Sequence, residues 1–487
     1  MDNKVVTRFA PSPTGFMHIG GVRTALFAYL WARKNDGVFI LRIEDTDKER
    51  EVAGSIRHIQ DSLHWLGIEW DFGPDKPGPF GSCIQSERLD EYLAIAHDLA
   101  DRGLAYPDPY TPEELETFRA KAEAERRPLL MREHRPESFM PWDGKAPLRF
   151  KVPEIKRYKW HDEVRGNLEA GEEALDDFIL IKSDGYPTYN FAHIIDDRDM
   201  GVTHIFRGDE FISSVPRFLS LYDALGIVPP KFVTLPPILR PDKTKKLGKR
   251  DGAKDVLEYR AEGYLPDAMM NFLALIGWNP GTEQELFDRE ALLQAFDISR
   301  IQIHGGVFNE EKLQWLNREY LLKLSDIDFA NYVAPFLRET LEKRSIPITE
   351  NTFIRIIPII RERINISGDI ATMAEEGEFD FYFVDPIGDS SKLPSKNESI
   401  DDVKKHLIYV REVFAGFSEE TMDDHNKIKT SLWDYATEHG RGNVLWPLRY
   451  ALTGREHSPD PFIVASIIGK DPAIRRIGNA LHELDSV

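Results

Sequence analysis

His18, just ahead of Gly20-Gly21, and the cations Lys246, Lys249 and Arg250 are the side chains of this sequence best suited to handle a phosphate chain. The histidine belongs to Pro11-Ser12-Pro13-Thr14-Gly15-Phe16-Met17-His18-Ile19-Gly20-Gly21, the cations to Lys246-Leu247-Gly248-Lys249-Arg250. The first stretch reads as a Pro-rich turn feeding a helix. A helix N-terminus offers unpaired N–H groups and partial positive charge to phosphate. An imidazole just before it can hydrogen-bond phosphate oxygens, and glycines without a Cβ let a nucleotide approach the backbone closely. From Arg240 to Arg250, six cations (Arg240, Lys243, Lys245, Lys246, Lys249, Arg250) accompany one anion, Asp242. Each feature has a plain alternative on its own, a surface histidine in a loop and a solvated basic loop. Their order and the flanking Pro11-Ser12-Pro13-Thr14-Gly15 point to a pocket for a triphosphate whose α-phosphorus is attacked.

The elements around these residues read as an α/β unit. Val5 to Ala10 is an apolar-rich strand closed by two prolines. Val22, Leu26, Tyr29 and Leu30 recur at helical spacing, and Asp36-Gly37 ends that helix. Val38 to Ile43 is a second strand, so the order is strand, loop, helix, strand, as in a parallel sheet. A helix with Ile56, Ile59, Leu63 and Leu66 on one face stops at Gly67. Residues 110–175 are mixed and charged and read as an insertion. Phe178 to Ile181 and Val202 to Phe206 read as strands returning to the sheet. After about residue 265 strands become scarce. Val403, Leu407, Val410, Phe414 and Phe417 form a helix seam, and the C-terminal third reads as all-α.

Length and composition narrow the class. A chain of 487 residues exceeds what one core usually supports, so about two to four units are expected. A content of 41% hydrophobic and 30% charged residues is ordinary for a soluble globular protein. No apolar run approaches the ~20 residues that span a bilayer, and residues 1–4 carry no secretory pattern. The single cysteine, Cys83, excludes an internal disulfide and a multi-cysteine metal cluster. A cytoplasmic protein is the expectation. The net charge of −20 argues in bulk against a nucleic-acid partner. Binding, however, senses the field within ~8–10 Å, and the 240–250 loop is locally basic.

Arg8-Phe9-Ala10-Pro11-Ser12-Pro13-Thr14-Gly15 through His18-Ile19-Gly20-Gly21 resembles the nucleotide-binding motif of bacterial glutamyl-tRNA synthetases, which are class I aminoacyl-tRNA synthetases. Arg42 to Asp47, Gln85 to Arg88, Tyr186 to Asn190 and Arg207 to Glu210 match further blocks of that family. Lys246 to Arg250 resembles its lysine-rich second ATP motif, with Gly248 where serine usually stands. Trp446 to Arg449 and Leu452 to Gly454 look like its C-terminal helical domain.

The resemblance implies a Rossmann-like parallel-sheet catalytic domain with an inserted acceptor-binding domain, followed by an all-α anticodon-binding region. The expected divisions are 1–80 for the first half of the catalytic domain and 81–185 for the insertion. They continue with 186–255 for the second half and the lysine loop, 256–324 for a stem-contact helical region, and 325–487 for the anticodon-binding domain. It implies glutamate binding by Arg8, Ala10, Ser12, Glu44, Tyr189, His193 and Arg207. Two arginines suit a side-chain carboxylate that can be gripped bidentately, and Glu44 offers an anion to the ammonium. His193 replaces the asparagine or apolar residue often found in the family. ATP would meet Gly20, Gly21, Glu210, Leu239, Lys246, Lys249 and Arg250, with His18, Lys246 and Lys249 acting on the reacting phosphates and Mg²⁺ accompanying them. No zinc is expected, because the Tyr106 to Tyr110 region lacks the cysteines that hold it in some relatives. The partners implied are tRNA-Glu, with tRNA-Gln open, and the expected state is a monomer. Arg361, Arg363, Arg441, Gly442 and Arg449 are candidates for anticodon contact.

Other classes fit less well. A glutaminyl-tRNA synthetase would need a neutral amide pocket and typically ends in β-barrels. A nucleotidylyltransferase or a tRNA-glutamylating enzyme gives no use for the C-terminal third. A non-catalytic tRNA-binding paralogue would be expected to have lost His18, Lys246 or Lys249.

Overall fold

The computed structural model describes residues 4–248, 254–395 and 398–486. Lys249 and Arg250 therefore lie outside the described residues. The chain divides into two compact units, Met1–Leu316 and Asn317–Val487.

In the first unit the strands are β1 (Val6–Phe9), β2 (Val38–Leu41), β3 (Ala105–Pro107), β4 (Leu148–Phe150), β5 (Tyr158–Asp162), β6 (Gly166–Ala170), β7 (Ile179–Ile181), β8 (His204–Gly208), β9 (Lys231–Leu235), β10 (Ile238–Leu239) and β11 (Gly306–Val307). The main sheet has the order β2-β1-β8-β9-β5-β6. β1 is buried along its whole length and runs parallel to β2, from Val6↔Val38 to Phe9↔Leu41. The connection is helix α1 (Ile19–Lys34), whose Val22, Leu26, Phe27 and Leu30 are buried. Helix α2 (Ser55–Leu66) ends at Gly67, where φ of 68° suits a residue without a Cβ. Helix α3 (Leu89–Asp101) leads into β3, and α4 (Pro112–Ala124) follows it.

Two expectations about the sheet are corrected. Ile179–Ile181 does not return to the main sheet; it pairs antiparallel with β4 in a separate three-stranded sheet, β3-β4-β7. The main sheet is extended instead by a hairpin from the charged 110–175 stretch. β5 pairs antiparallel with β6 and meets β9 at Asp162↔Phe232. Asp162 fixes that junction. Its buried carboxylate accepts from Thr234 Oγ1 at 2.5 Å and from the Val164 and Arg165 N–H groups at 2.9 Å. The hairpin was hard to see because Lys159, His161, Asn167 and Glu169 put few apolar residues into it.

Helix α5 (Tyr189–Asp199) begins at the sheet's working end, and α6 (Val215–Leu225) follows β8. β10 pairs parallel with β11, and on its other side Leu239 bridges Lys246. The unit continues with α7 (Val256–Ala261), α8 (Pro266–Leu275) and α9 (Arg289–Ala295), and α10 (Glu310–Lys323) spans the boundary at Leu316.

The second unit is helical among its described residues. Val403, Leu407, Val410 and Phe414 are fully buried along Ile400–Ala415, the seam expected from their spacing. Each such side chain contributes about 1.5–3 kcal/mol of gross burial energy. Phe417 lies past that helix's end. Arg476 is a buried tie, donating from Nη1 to Phe381 O at 2.6 Å and Leu452 O at 2.7 Å. No helix among the described residues is long and apolar enough to cross a membrane.

Candidate active site

The turn after β1 and the start of α1 bring His18 to the mouth of the sheet. His18 is the N-cap of α1, and its Nδ1 accepts from Gly20 N–H at 3.1 Å. That bond puts the ring proton on Nε2, the tautomer able to donate to a phosphate oxygen. A Cβ on Gly20 would stand 3.0 Å from the imidazole, so the glycine makes room first for His18 itself. Gly21 has no such tight neighbour.

The lysine loop reaches the same place by backbone pairing. Leu247 N–H donates to Ile238 O at 2.8 Å, and Lys246 pairs with Leu239. One cavity of about 830 Å³ is lined by His18, Gly20 and Gly21 and equally by Lys246, Leu247 and Gly248. Arg8, Ala10, Ser12, Glu44, Tyr189, Arg207 and Glu210 also line it. Most of the side chains selected from sequence thus border one cavity. Lys246 Nζ is 3.0 Å from Glu210 Oε2, with both side chains about half exposed.

The two arginines differ in state. Arg8 is 4% exposed and ion-paired, its Nε 3.0 Å from Asp197 Oδ1. Asp197 also receives Arg42 Nη1 at 2.7 Å, and Arg42 Nη2 donates to Glu44 Oε1 at 2.9 Å. Burial pushes the Glu44 carboxyl up, against the pull of Arg42 and Arg8. Burial would raise Asp197 too, but Arg8 and Arg42 hold it well below the usual carboxylate range. Arg207 is 5% exposed, and its Nη1 and Nη2 are buried without a hydrogen-bond acceptor among the described residues. Its guanidinium sits among Phe232, Phe218 and Phe211, at 4.9, 5.1 and 5.7 Å from the ring centroids. Burial, and the nearby charge of Arg8, lower its pKa. A buried guanidinium with two Nη groups lacking an acceptor among the described residues, beside a second cation, is a strong demand for an anion.

Two residues expected at the site lie outside the lining of this cavity. His193 is fully buried and does not line the cavity. It stacks under Tyr189 at 4.6 Å, and its Nδ1 is 2.6 Å from Tyr189 O. It sits one helical turn after Tyr189 on the same face of α5 and packs against the ring that faces the cavity. Leu239 is likewise absent from the lining; Ile238 takes that place. Leu239 carries the lysine loop through its backbone, while its side chain packs toward Gly305.

Sequence reasoning missed Asp196 and Asp197. Asp196 accepts from Arg88 Nε at 2.9 Å, Gln85 Nε2 at 2.7 Å and Tyr92 OH at 2.8 Å. The signal was two adjacent carboxylates directly after the apolar Ile194-Ile195 of a helix. Arg23 was also missed. It lines the cavity, donates to Ile276 O at 3.1 Å and to Pro236 O, and burial lowers its pKa to about 10. Asp45 of the acidic run is tied to Ser86 N at 2.8 Å and Lys48 Nζ at 2.6 Å. Beside the main cavity lies a second, of about 490 Å³, which also uses Ser12, Glu44 and Tyr189 and adds Gln85 and Lys182. In the second unit Arg361 lies 4.5 Å over Phe329, Arg441 4.3 Å over Trp433, and Arg363 pairs with Glu378.

Comparison with known proteins shows which family the chain resembles. Residues 4–315 match the catalytic-domain model of tRNA synthetases class I (E and Q). Residues 328–481 match an anticodon binding domain model. The chain is 38% identical to a glutamate–tRNA ligase of Anaeromyxobacter sp. (strain Fw109-5), over 99% of each chain. It is 36% identical to that of Dehalococcoides mccartyi (strain ATCC BAA-2266 / KCTC 15142 / 195), over 100% of each. Among solved structures it is similar to a glutamate tRNA ligase of Elizabethkingia meningosepticum CCUG26117 in complex with its amino acid. That match has a TM-score of 0.87 and 34% identity, and covers 99% of this chain and 100% of the other.

Proposed function

The chain belongs to the class I tRNA synthetases for glutamate and glutamine, and we propose from that membership that it is a glutamate–tRNA ligase working as follows. The α-carboxylate of glutamate attacks the α-phosphorus of ATP, giving glutamyl-adenylate and pyrophosphate. The substrate brings its own nucleophile, so catalysis is positioning plus stabilisation of charge on the phosphate oxygens. A terminal ribose hydroxyl of tRNA, the 2′-hydroxyl in this class, then attacks the adenylate carbonyl.

His18 donates from Nε2 to the reacting phosphate, and Lys246 and Lys249 neutralise the leaving pyrophosphate. The single observation that carries this reading is the shared cavity of His18 and Lys246. Arg207 takes the side-chain carboxylate of glutamate, and Arg8, held by Asp197, supplies the second positive charge. Glu44, with Oε1 occupied by Arg42, meets the ammonium beside Tyr189. Gly20, Gly21 and Glu210 border the nucleotide. ATP enters with Mg²⁺ on its phosphate oxygens. Among the described residues no three His, Cys, Asp or Glu side chains are grouped to hold a metal.

The insertion holds the acceptor end of tRNA, which reaches the adenylate by way of the second cavity. The helical unit reads the anticodon, and bound tRNA is required for activation. The protein works as a cytoplasmic monomer. Charging assays with purified tRNA-Glu and tRNA-Gln test the reading. Glutamate should be esterified to tRNA-Glu, and esterification of glutamine would point to the sister specificity.

A further inference from the structure

His58 on α2 touches neither ATP motif's reacting groups, yet it joins the chain segments that carry them. Its Nδ1 accepts from Met17 N–H at 3.3 Å. That bond fixes the ring tautomer, so Nε2 carries the proton and donates to Asp255 Oδ1 at 2.7 Å. Met17 immediately precedes His18, and Asp255 is where the chain returns after the lysine motif. The same two segments also pair by backbone: Val256 N–H donates to Met17 O at 3.0 Å, and His18 bridges Asp255. Phe16 covers one face of the imidazole, stacked at 4.6 Å and 17°. Ser62 Oγ donates to His58 O at 2.7 Å, tying its backbone within α2. The His58 side chain is 11% exposed, and it is not among the residues that line the main cavity.

We propose that His58 is a positioning residue for the ATP step, holding the turn that carries His18 against the chain returning from the lysine motif. The inference rests on the reading of His18 given above. A neutral imidazole suits the task because it accepts at one end and donates at the other, in a fixed line. Neither end alone secures both segments. Asparagine places an amide oxygen near the Nδ1 position and can keep the Met17 bond. Glutamine places an amide nitrogen near Nε2 and can keep the Asp255 bond.

The test is kcat/KM for ATP and for glutamate in tRNA-Glu charging, in a cycle with His18. His58→Ala should lower kcat/KM for ATP about tenfold, roughly the effect of one net hydrogen bond. KM for glutamate should stay within about twofold. His58→Asn and His58→Gln should each lose less than alanine, and they carry the same test if the alanine variant does not fold. In a His18→Ala background the same changes at His58 should cost under twofold, because the group being positioned is gone. An equal loss in both backgrounds would make His58 merely structural and overturn the inference, as would no loss at all. An inactive wild-type protein would instead overturn the ATP reading itself, and this inference with it.

Discussion

Lys246 Nζ lies 3.0 Å from Glu210 Oε2 on the wall of the cavity that His18 lines. The lysine's charge is thus already on the wall that the triphosphate would meet. Lys246→Ala should cost about 2–4 kcal/mol of transition-state stabilisation, about 30- to 1000-fold in kcat/KM for ATP. The ion pair itself is half exposed and is worth about 1 kcal/mol or less. Glu210→Gln should therefore change kcat/KM for ATP by no more than about fivefold. Steady-state charging kinetics with ATP varied distinguish the two.

Arg207 is a buried guanidinium whose Nη groups lack an acceptor among the described residues, so glutamate affinity should depend on it most sharply. Arg207→Lys keeps a cation but loses the planar fork, and should raise the Kd for glutamate by about 100-fold with ATP affinity little changed. Isothermal titration with each substrate reads both terms. An equal loss for ATP would mean that the substitution disturbed the whole cavity.

Arg8 carries two duties. Arg8→Ala should abolish glutamate use far more than ATP binding. It should also destabilise the fold by about 3–5 kcal/mol, because Asp197 is left buried with Arg42 alone. Urea unfolding of the variant measures the second effect. Unchanged stability would mean that Arg42 alone suffices for Asp197.

The site was legible where chemistry and spacing coincide. His18, Gly20 and Lys246 stand out because few other tasks need those types in that order, and the β1–α1–β2 unit followed from its apolar periodicity. The β5–β6 hairpin was not legible, since an edge pair with few buried side chains leaves no periodic apolar signal. The layer His193 occupies, under Tyr189, was not legible because a sequence motif records which residues are near a pocket but not how deep they lie. The Arg8–Asp197–Arg42–Glu44 chain was hidden because its partners lie far apart in sequence and come together only at the sheet end. Gln85 and Arg88 matched a family block, yet their task, holding Asp196, appears only in three dimensions.

Burial, then the nearby charges of Arg207 and Arg8, depress the His193 pKa from 6.5 to about 3. A histidine whose folded pKa is depressed contributes stability that is complete above the unfolded value and is lost as pH falls toward the folded one. Wild-type stability should therefore drop between pH 6.5 and about 3 by up to about 1.4 kcal/mol per pH unit from this group. His193→Asn removes that term, so the variant should gain on the wild type as pH falls through this window. Parallel urea-midpoint curves would show that His193 does not titrate with unfolding.

Gly248, at the position where the sequence resemblance implies serine, lines the cavity. Gly248→Ser adds one hydroxyl toward the phosphates and should lower KM for ATP several-fold, with kcat little altered. An increase in KM would show that the loop needs the glycine's backbone freedom.

The most direct test of the central claim, that His18 and Lys246 act on one ATP, is glutamate-dependent pyrophosphate–ATP exchange in the presence of tRNA-Glu. Wild-type protein should exchange only when glutamate is present. His18→Ala and Lys246→Ala should each reduce the rate by about 30-fold or more, and the double variant should lose less than the product of the two. Absence of exchange with chargeable tRNA present, or fully multiplicative losses, would contradict it.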